Sequence, residues 1–298
     1  MDYTTLIDVE SLRELLNRPP SDVPLVIVDC RFDLNEPGAG RRAFLAGHIP
    51  GAHYWDLDHD LSAPRSSQSG RHPLPSPTAL AERLSALGAD EHTQVIVYDA
   101  ANGSFAARAW WLLRWIGACR VAVLDGGFQA WLEAGGGVES GLRAVTDTAG
   151  SDHAGRGGFL PRVQPDAVLS AAEVESALRD SNRLLVDARA PERFSGRVEP
   201  IDPVAGHVPG AVNHPFSENL RDGRFLPPDE LRRRWQQRLG GTSPADAILM
   251  CGSGVTACHN ALAMAVAGLP GAKLYAGSWS EWIRDPNRPV AALRPATD

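Results

Sequence analysis

The chain is written twice, and this constrains its fold more than any other feature. The segment LVIVDCRF (Leu25 to Phe32) returns as LLVDAR (Leu184 to Arg189). AGHIPGA (Ala46 to Ala52) returns 159 positions later as AGHVPGA (Ala205 to Ala211). VIVYDAANG (Val95 to Gly103) aligns with AILMCGSGV (Ala247 to Val255), and LDGGFQAW (Leu124 to Trp131) with YAGSWSEW (Tyr275 to Trp282). Four blocks in the same order at a nearly constant offset mean a duplicated domain. A length of 298 residues suits two domains of about 150 residues each.

Each copy has the same rhythm. LVIVD, QVIVYD and RVAVLD are apolar and β-branched throughout instead of alternating, as strands buried on both faces of a parallel sheet must be. Between them lie segments with helical spacing, such as Pro77 to Leu87, Phe105 to Ile116 and His259 to Ala267. The alternation predicts an α/β chain of two domains, each a parallel sheet flanked by helices, with functional loops at the carboxyl ends of the strands. Residues 141–163 are rich in Gly, Thr, Ser and Asp and read as an exposed linker between a domain at 1–140 and a domain at 164–298.

Composition narrows the function classes. A net charge of -7 argues against a general nucleic-acid binder. The N-terminus lacks the basic and apolar regions of a signal peptide, and no apolar run approaches the ~18 residues of a membrane span. Four cysteines without a C-x-x-C pair do not make a disulfide scaffold or a zinc ribbon. The expectation is a cytoplasmic protein with no membrane or nucleic-acid partner.

Duplication also supplies an internal control. At the end of the equivalent strand the first copy has Asp99 and the second has Cys251. Cys251 is followed by Gly252, Ser253, Gly254, Val255 and Thr256, and then by an apolar helix. A strand, a tight Gly-rich loop and a helix start gather backbone N–H groups around one point, and the helix dipole adds positive potential. Both favour an anion, so the setting favours the thiolate of Cys251 as a nucleophile. Elsewhere in a chain a free cysteine is most often a small buried apolar residue. Cys258 is expected to face inside the following helix, and Cys30 and Cys119, at a strand end and next to a strand start, read as structural.

These blocks, with CGSGVTACH and the paired GH(I/V)PGA segments, resemble the two-domain rhodanese family of sulfurtransferases over nearly the whole chain. The resemblance implies sulfur transfer through a cysteine persulfide with no metal or organic cofactor, and a catalytically silent N-terminal copy with an aspartate at the Cys251 position. CGSGVTA is similar to the mercaptopyruvate branch, where a loop serine such as Ser253 assists the leaving group and the amides of Gly252, Gly254, Val255 and Thr256 hold the persulfide. The partners implied are a small-molecule sulfur donor and a thiol or thioredoxin-like acceptor. Arg193 matches a carboxylate-binding arginine of that branch. A second arginine is expected in an E-P-R segment, but this chain reads Glu199-Pro200-Ile201-Asp202, closer to the E-P-D of thiosulfate enzymes. Arg197 and Arg108 are the candidates to replace it. His48 corresponds to a histidine that relays protons in the mercaptopyruvate branch, although its duplicate His207 favours a structural role for both.

Two other chemistries are weaker. A phosphatase on this fold needs C-x5-R, and the sixth residue after Cys251 is Ala257. Zinc at Cys251, Cys258 and His259 is disfavoured because adjacent helical residues point in different directions. A persulfide carrier serving one protein partner stays open beside a turnover enzyme.

Overall fold

The computed structural model describes residues 2–18, 24–141, 158–180 and 182–292. Most of the stretch 141–163 read as a linker therefore lies outside the described residues. By contact density the chain forms two compact units: residues 1–63 with 75–164, and residues 64–74 with 165–298. The short segment Pro64–Leu74, sequentially in the first half, thus belongs to the second unit. Residues 158–164 are part of the first unit rather than free linker. Phe159 is buried, and the amides of Arg162 and Gln164 donate to Ile116 O and Trp115 O.

The first unit is a parallel five-stranded sheet. Its strands are β1 (Leu6–Ile7), β2 (Leu25–Asp29), β3 (His53–Tyr54), β4 (Gln94–Tyr98) and β5 (Val121–Leu124), in the order β1-β5-β4-β2-β3. Around it lie α1 (Val9–Leu16), α2 (Ala39–Ala46), α3 (Pro77–Ala86), α4 (Ala106–Trp115) and α5 (Gly127–Glu133). Helix starts follow capping chemistry: Asp8 and Ser76 accept from the amides of Ser11 and Ala79, and Pro77 opens α3 where no amide partner is needed. β4 is buried at every residue, as its unbroken apolar run requires.

The second unit repeats this plan. Strands β6 (Leu184–Asp187), β7 (Val212–Asn213), β10 (Ala247–Met250) and β11 (Lys273–Leu274) are parallel in the order β11-β10-β6-β7. That is the order of β5-β4-β2-β3, so the duplication seen in the sequence is also a duplication of topology. An isolated parallel bridge from Val168 to Leu274 stands where β1 would be. A small antiparallel pair, β8 (Leu220–Arg221) and β9 (Arg224–Phe225), is an addition. The helices are α6 (Ala171–Ala177), α7 (Pro191–Phe194), α8 (Pro228–Leu239), α9 (Thr256–Val266) and α10 (Ser278–Trp282). α9 begins at Thr256, at the end of the Gly-rich loop where the helix after Cys251 is expected, and takes in most of the periodic stretch from His259 to Ala267.

Two buried ion pairs explain why D-x-R and G-H-x-P-G recur together. Arg31 donates to Asp29 and, at 2.6 Å, to the carbonyl of Gly47. Arg189 does the same with Asp187 and, at 2.8 Å, with Gly206. Each guanidinium also lies over an aromatic ring, Phe128 at 4.3 Å and Trp279 at 4.7 Å. The arginine thus ties the end of a strand to the turn before the histidine.

Candidate active site

The pairing of Met250 with Asp187 brings the carboxyl ends of β10 and β6 level, so Cys251 stands at the edge where loops emerge. Cys251 is buried, at 2% exposure. Its own N–H donates to Ser278 Oγ (3.1 Å), and its carbonyl accepts from the amide of Trp279 (3.0 Å). The Gly254 amide points at Sγ from 3.1 Å. Gly254 has φ +80°, and a Cβ there would stand 2.3 Å from Ala276 O, so the curl that aims this amide is open only to glycine. Cys258, one helical turn into α9, donates its thiol to Gly254 O at 3.2 Å and is fully buried. Cys30 is buried, whereas Cys119 is exposed.

The first copy shows what such a loop holds. Asp99 Oδ1 accepts from the amides of Ala101 and Gly103 (3.2 and 3.0 Å), and Oδ2 from Phe105 and Ala106 (2.9 and 3.2 Å). Burial pushes the Asp99 pKa up while these four amides pull against it. The amides of Phe128 and Gln129 dock on Asp99 O and Ala100 O as those of Trp279 and Ser280 dock on Cys251 O and Gly252 O. The same frame therefore surrounds a carboxylate in one unit and a thiol in the other.

Two residues not expected from the sequence reach this loop from Pro64–Leu74. His72 Nδ1 lies 2.7 Å from Ser253 Oγ, with both side chains buried. Arg71 forms an ion pair with Asp202, and its backbone amide donates to Ser280 Oγ (3.0 Å). A Cβ on Gly252 would stand 2.9 Å from Arg71 Nη2 and 3.4 Å from Arg193 Nη1, so two guanidiniums border the residue after the cysteine. The available signal was GRHPLP (Gly70 to Pro75), a further block that returns in the second copy as GRFLPP (Gly223 to Pro228).

The other sequence candidates fall differently. Arg193 is held by Glu199 through Nε and Nη2 (2.8 Å at the shortest) and by Asp202 (3.1 Å), not by Glu192. Arg197 is 60% exposed and lies 3.6 Å from Glu192. Arg108 is fully buried in the first unit, where it donates to Leu61 O. His48 is also a residue of the first unit: its Nδ1 lies 2.8 Å from Phe44 O, its ring stacks on Phe44, and its backbone pairs with Glu139. His207 repeats every feature with Phe194 and Ala291, so the G-H-x-P-G histidine is held by the same local contacts in both units. Thr256 is partly exposed at the start of α9, and Val255 is buried. Among the described residues, no cluster of three His, Cys, Asp or Glu side chains is placed to hold a metal ion.

A tandem pair of parallel α/β units, one carrying a thiol in an amide-lined loop, defines a class, and the comparisons give it a name. The Rhodanese-like domain family matches residues 8–134 and 170–285, and the chain belongs to that family. It is 47% identical to a probable 3-mercaptopyruvate sulfurtransferase of Pseudomonas aeruginosa over 98% of this chain and 99% of that one. It is 41% identical to the putative thiosulfate sulfurtransferase SseB of Mycobacterium tuberculosis over 90% of each. Among solved structures, the 3-mercaptopyruvate sulfurtransferase SseA of Escherichia coli is similar with a TM-score of 0.75 and 33% identity, covering 93% of this chain and all of that one. No described helix is long and apolar enough to cross a membrane.

Proposed function

We propose that the chain is a sulfurtransferase that moves a sulfane sulfur from 3-mercaptopyruvate through a persulfide on Cys251 to a thiol or cyanide. The observation that carries this reading is the convergence on one loop of a buried thiol, an amide 3.1 Å from its sulfur, and two arginines beside the next residue. The Cys251 thiolate attacks the donor sulfur. An S–S bond forms, the C–S bond breaks, and its electron pair leaves on carbon as the pyruvate enolate. That carbon takes up a proton, balanced by the one lost from the donor thiol, to give pyruvate. The acceptor thiolate then attacks the outer sulfur and regenerates Cys251, a ping-pong cycle. The loop amides of Gly252, Gly254, Val255 and Thr256 serve the anionic sulfur as an oxyanion hole serves oxygen.

Arg193 and Arg71 are the donor's carboxylate site, since a guanidinium fork matches a carboxylate. The buried Ser253–His72 pair is the proton relay, in place of His48. The first domain, with Asp99 where the nucleophile would be, takes no covalent part. A thioredoxin-like protein or small thiol in a reducing cytoplasm is the acceptor, in keeping with four free cysteines. Thiosulfate is the second donor to test, because Glu199-Pro200-Ile201-Asp202 is similar in sequence to the E-P-D of thiosulfate enzymes.

The test is steady-state sulfur transfer to cyanide from each donor, with wild type and Cys251→Ala, and intact mass after donor treatment alone. Larger kcat/KM for mercaptopyruvate, a mass gain of one sulfur atom, and loss of both in the variant are expected. Preference for thiosulfate reverses the donor assignment. A persulfide that forms without turnover makes the protein a carrier, and no sulfur uptake from either donor defeats the reading.

A further inference from the structure

The two arginines beside the Cys251 loop are already engaged. Arg71 and Arg193 both reach Asp202, and Arg193 also holds Glu199. Behind them Arg189 is matched by Asp187 and touches Glu199 at 3.4 Å. Three cations therefore face three carboxylates, and an arriving anion meets no net positive charge. The two outer carboxylates are not alike. Glu199 is fixed by Arg193, Arg189 and the backbone amides of Ile201 and Asp202. Among the described residues, the hydrogen bonds that Asp202 accepts come from Arg71 and Arg193, the guanidiniums that border Gly252.

Resting on the sulfur-transfer reading above, we propose that Asp202 is a specificity-determining residue, a resident carboxylate that competes with the donor anion for Arg71 and Arg193. A monocarboxylate can replace Asp202 charge for charge. A dianion such as thiosulfate brings one charge more than the pair gives up, so Asp202 discriminates against it. Asp202 is nearly buried, with 4% of its side chain exposed. Burial pushes its pKa up, Arg71 pulls it down, Glu199 raises it and Arg193 lowers it, with a net rise. The arginines are accordingly released from Asp202 as pH falls, and anion binding tightens.

The experiment measures both donors' kinetics and, separately, protection of Cys251 from alkylation by neutral iodoacetamide, using pyruvate and sulfate as unreactive anions from pH 8 down to pH 4, the ordinary carboxylate range. Wild-type protection by pyruvate should strengthen as pH falls. Asp202→Asn should bind pyruvate at least about fivefold more tightly at pH 7.5, lose most of the pH dependence, and gain more for sulfate and thiosulfate than for monoanions. Asp202→Glu, which keeps the charge, should retain the wild-type donor ratio. His72 and Glu199 are present in all three proteins, so their titration does not produce the difference. Pyruvate protection that is flat with pH in the wild type, or an equal KM rise for both donors in Asp202→Asn, overturns the proposal. Absence of turnover in the wild type instead rejects the sulfur-transfer reading, and the protection constants still decide whether Asp202 competes with anions.

Discussion

Ser253 and His72 are both buried and joined at 2.7 Å, an arrangement that desolvation makes costly unless the pair is kept together. A serine hydroxyl alone is a poor acid, and hydrogen bonding to an imidazole gives it a route for a proton to and from the leaving enolate. Removing either partner breaks the same route. Ser253→Ala and His72→Gln should therefore each lower kcat for mercaptopyruvate by about 10²-fold with a smaller effect on KM, and the double variant should lose little more. Full additivity of the two losses would mean that the residues act separately and would reject the relay. Thiosulfate, whose leaving group is sulfite and needs no carbon protonation, should be less affected by both changes.

At the scale of elements, the strand-to-turn anchor matters more than any single helix. Asp29 is fully buried and receives Arg31 together with the Tyr98 hydroxyl at 2.8 Å. Replacing Arg31 by methionine keeps most of the packing but leaves a buried carboxylate with neutral donors only, the Tyr98 hydroxyl and the amide of residue 31. A loss of about 3–5 kcal/mol is expected from such an uncompensated charge. Urea unfolding of Arg31→Met, compared with the double variant Asp29→Asn/Arg31→Met, measures it. Recovery of much of the stability in the double variant is expected, and an unchanged single variant would show that the pair is not an anchor. The longer strands β2, β4 and β5 were legible because β-branched apolar runs announce themselves locally. The two-residue strands β3, β7 and β11 were not, since they are too short for an apolar run to mark them.

Across the whole molecule, duplication made the architecture readable and divergence marked the site. Cys251 and Asp99 occupy equivalent positions, so comparing the copies led directly to the amide-lined loop. Arg71 and His72 escaped that comparison because both copies keep Gly-Arg there, at Arg71 and Arg224, so no divergence marks the arginine, and because they reach Asp202 and Ser253 across more than a hundred residues of sequence. Arg197 attracted attention by its nearness to Arg193 along the chain, but its side chain points to solvent. The added segment around β8 and β9 brings a further burden to the second unit, a polar cluster within its core. There Asn219 bonds to His214, Asn260 and Trp235, and His214 lies 4.2 Å from the Trp235 ring.

Burial pushes the His214 pKa down to about 4, against a partial gain from Asn219, while Arg238 and Arg234 oppose its protonation. The unfolded chain binds a proton at this histidine below about pH 6.5, which the folded chain declines until about pH 4. Stability is therefore fullest above the unfolded value and falls by about 1.4 kcal/mol per pH unit on acidification through that window. Surface His59, raised by its hydrogen bond to Asp56, acts in the opposite sense but is solvent-screened. Urea unfolding of wild type at pH 7 and 5 should show a loss of about 2 kcal/mol attributable to this group. His214→Gln should be less stable at neutral pH yet lose less on acidification. Parallel pH profiles for the two proteins would place the acid sensitivity elsewhere.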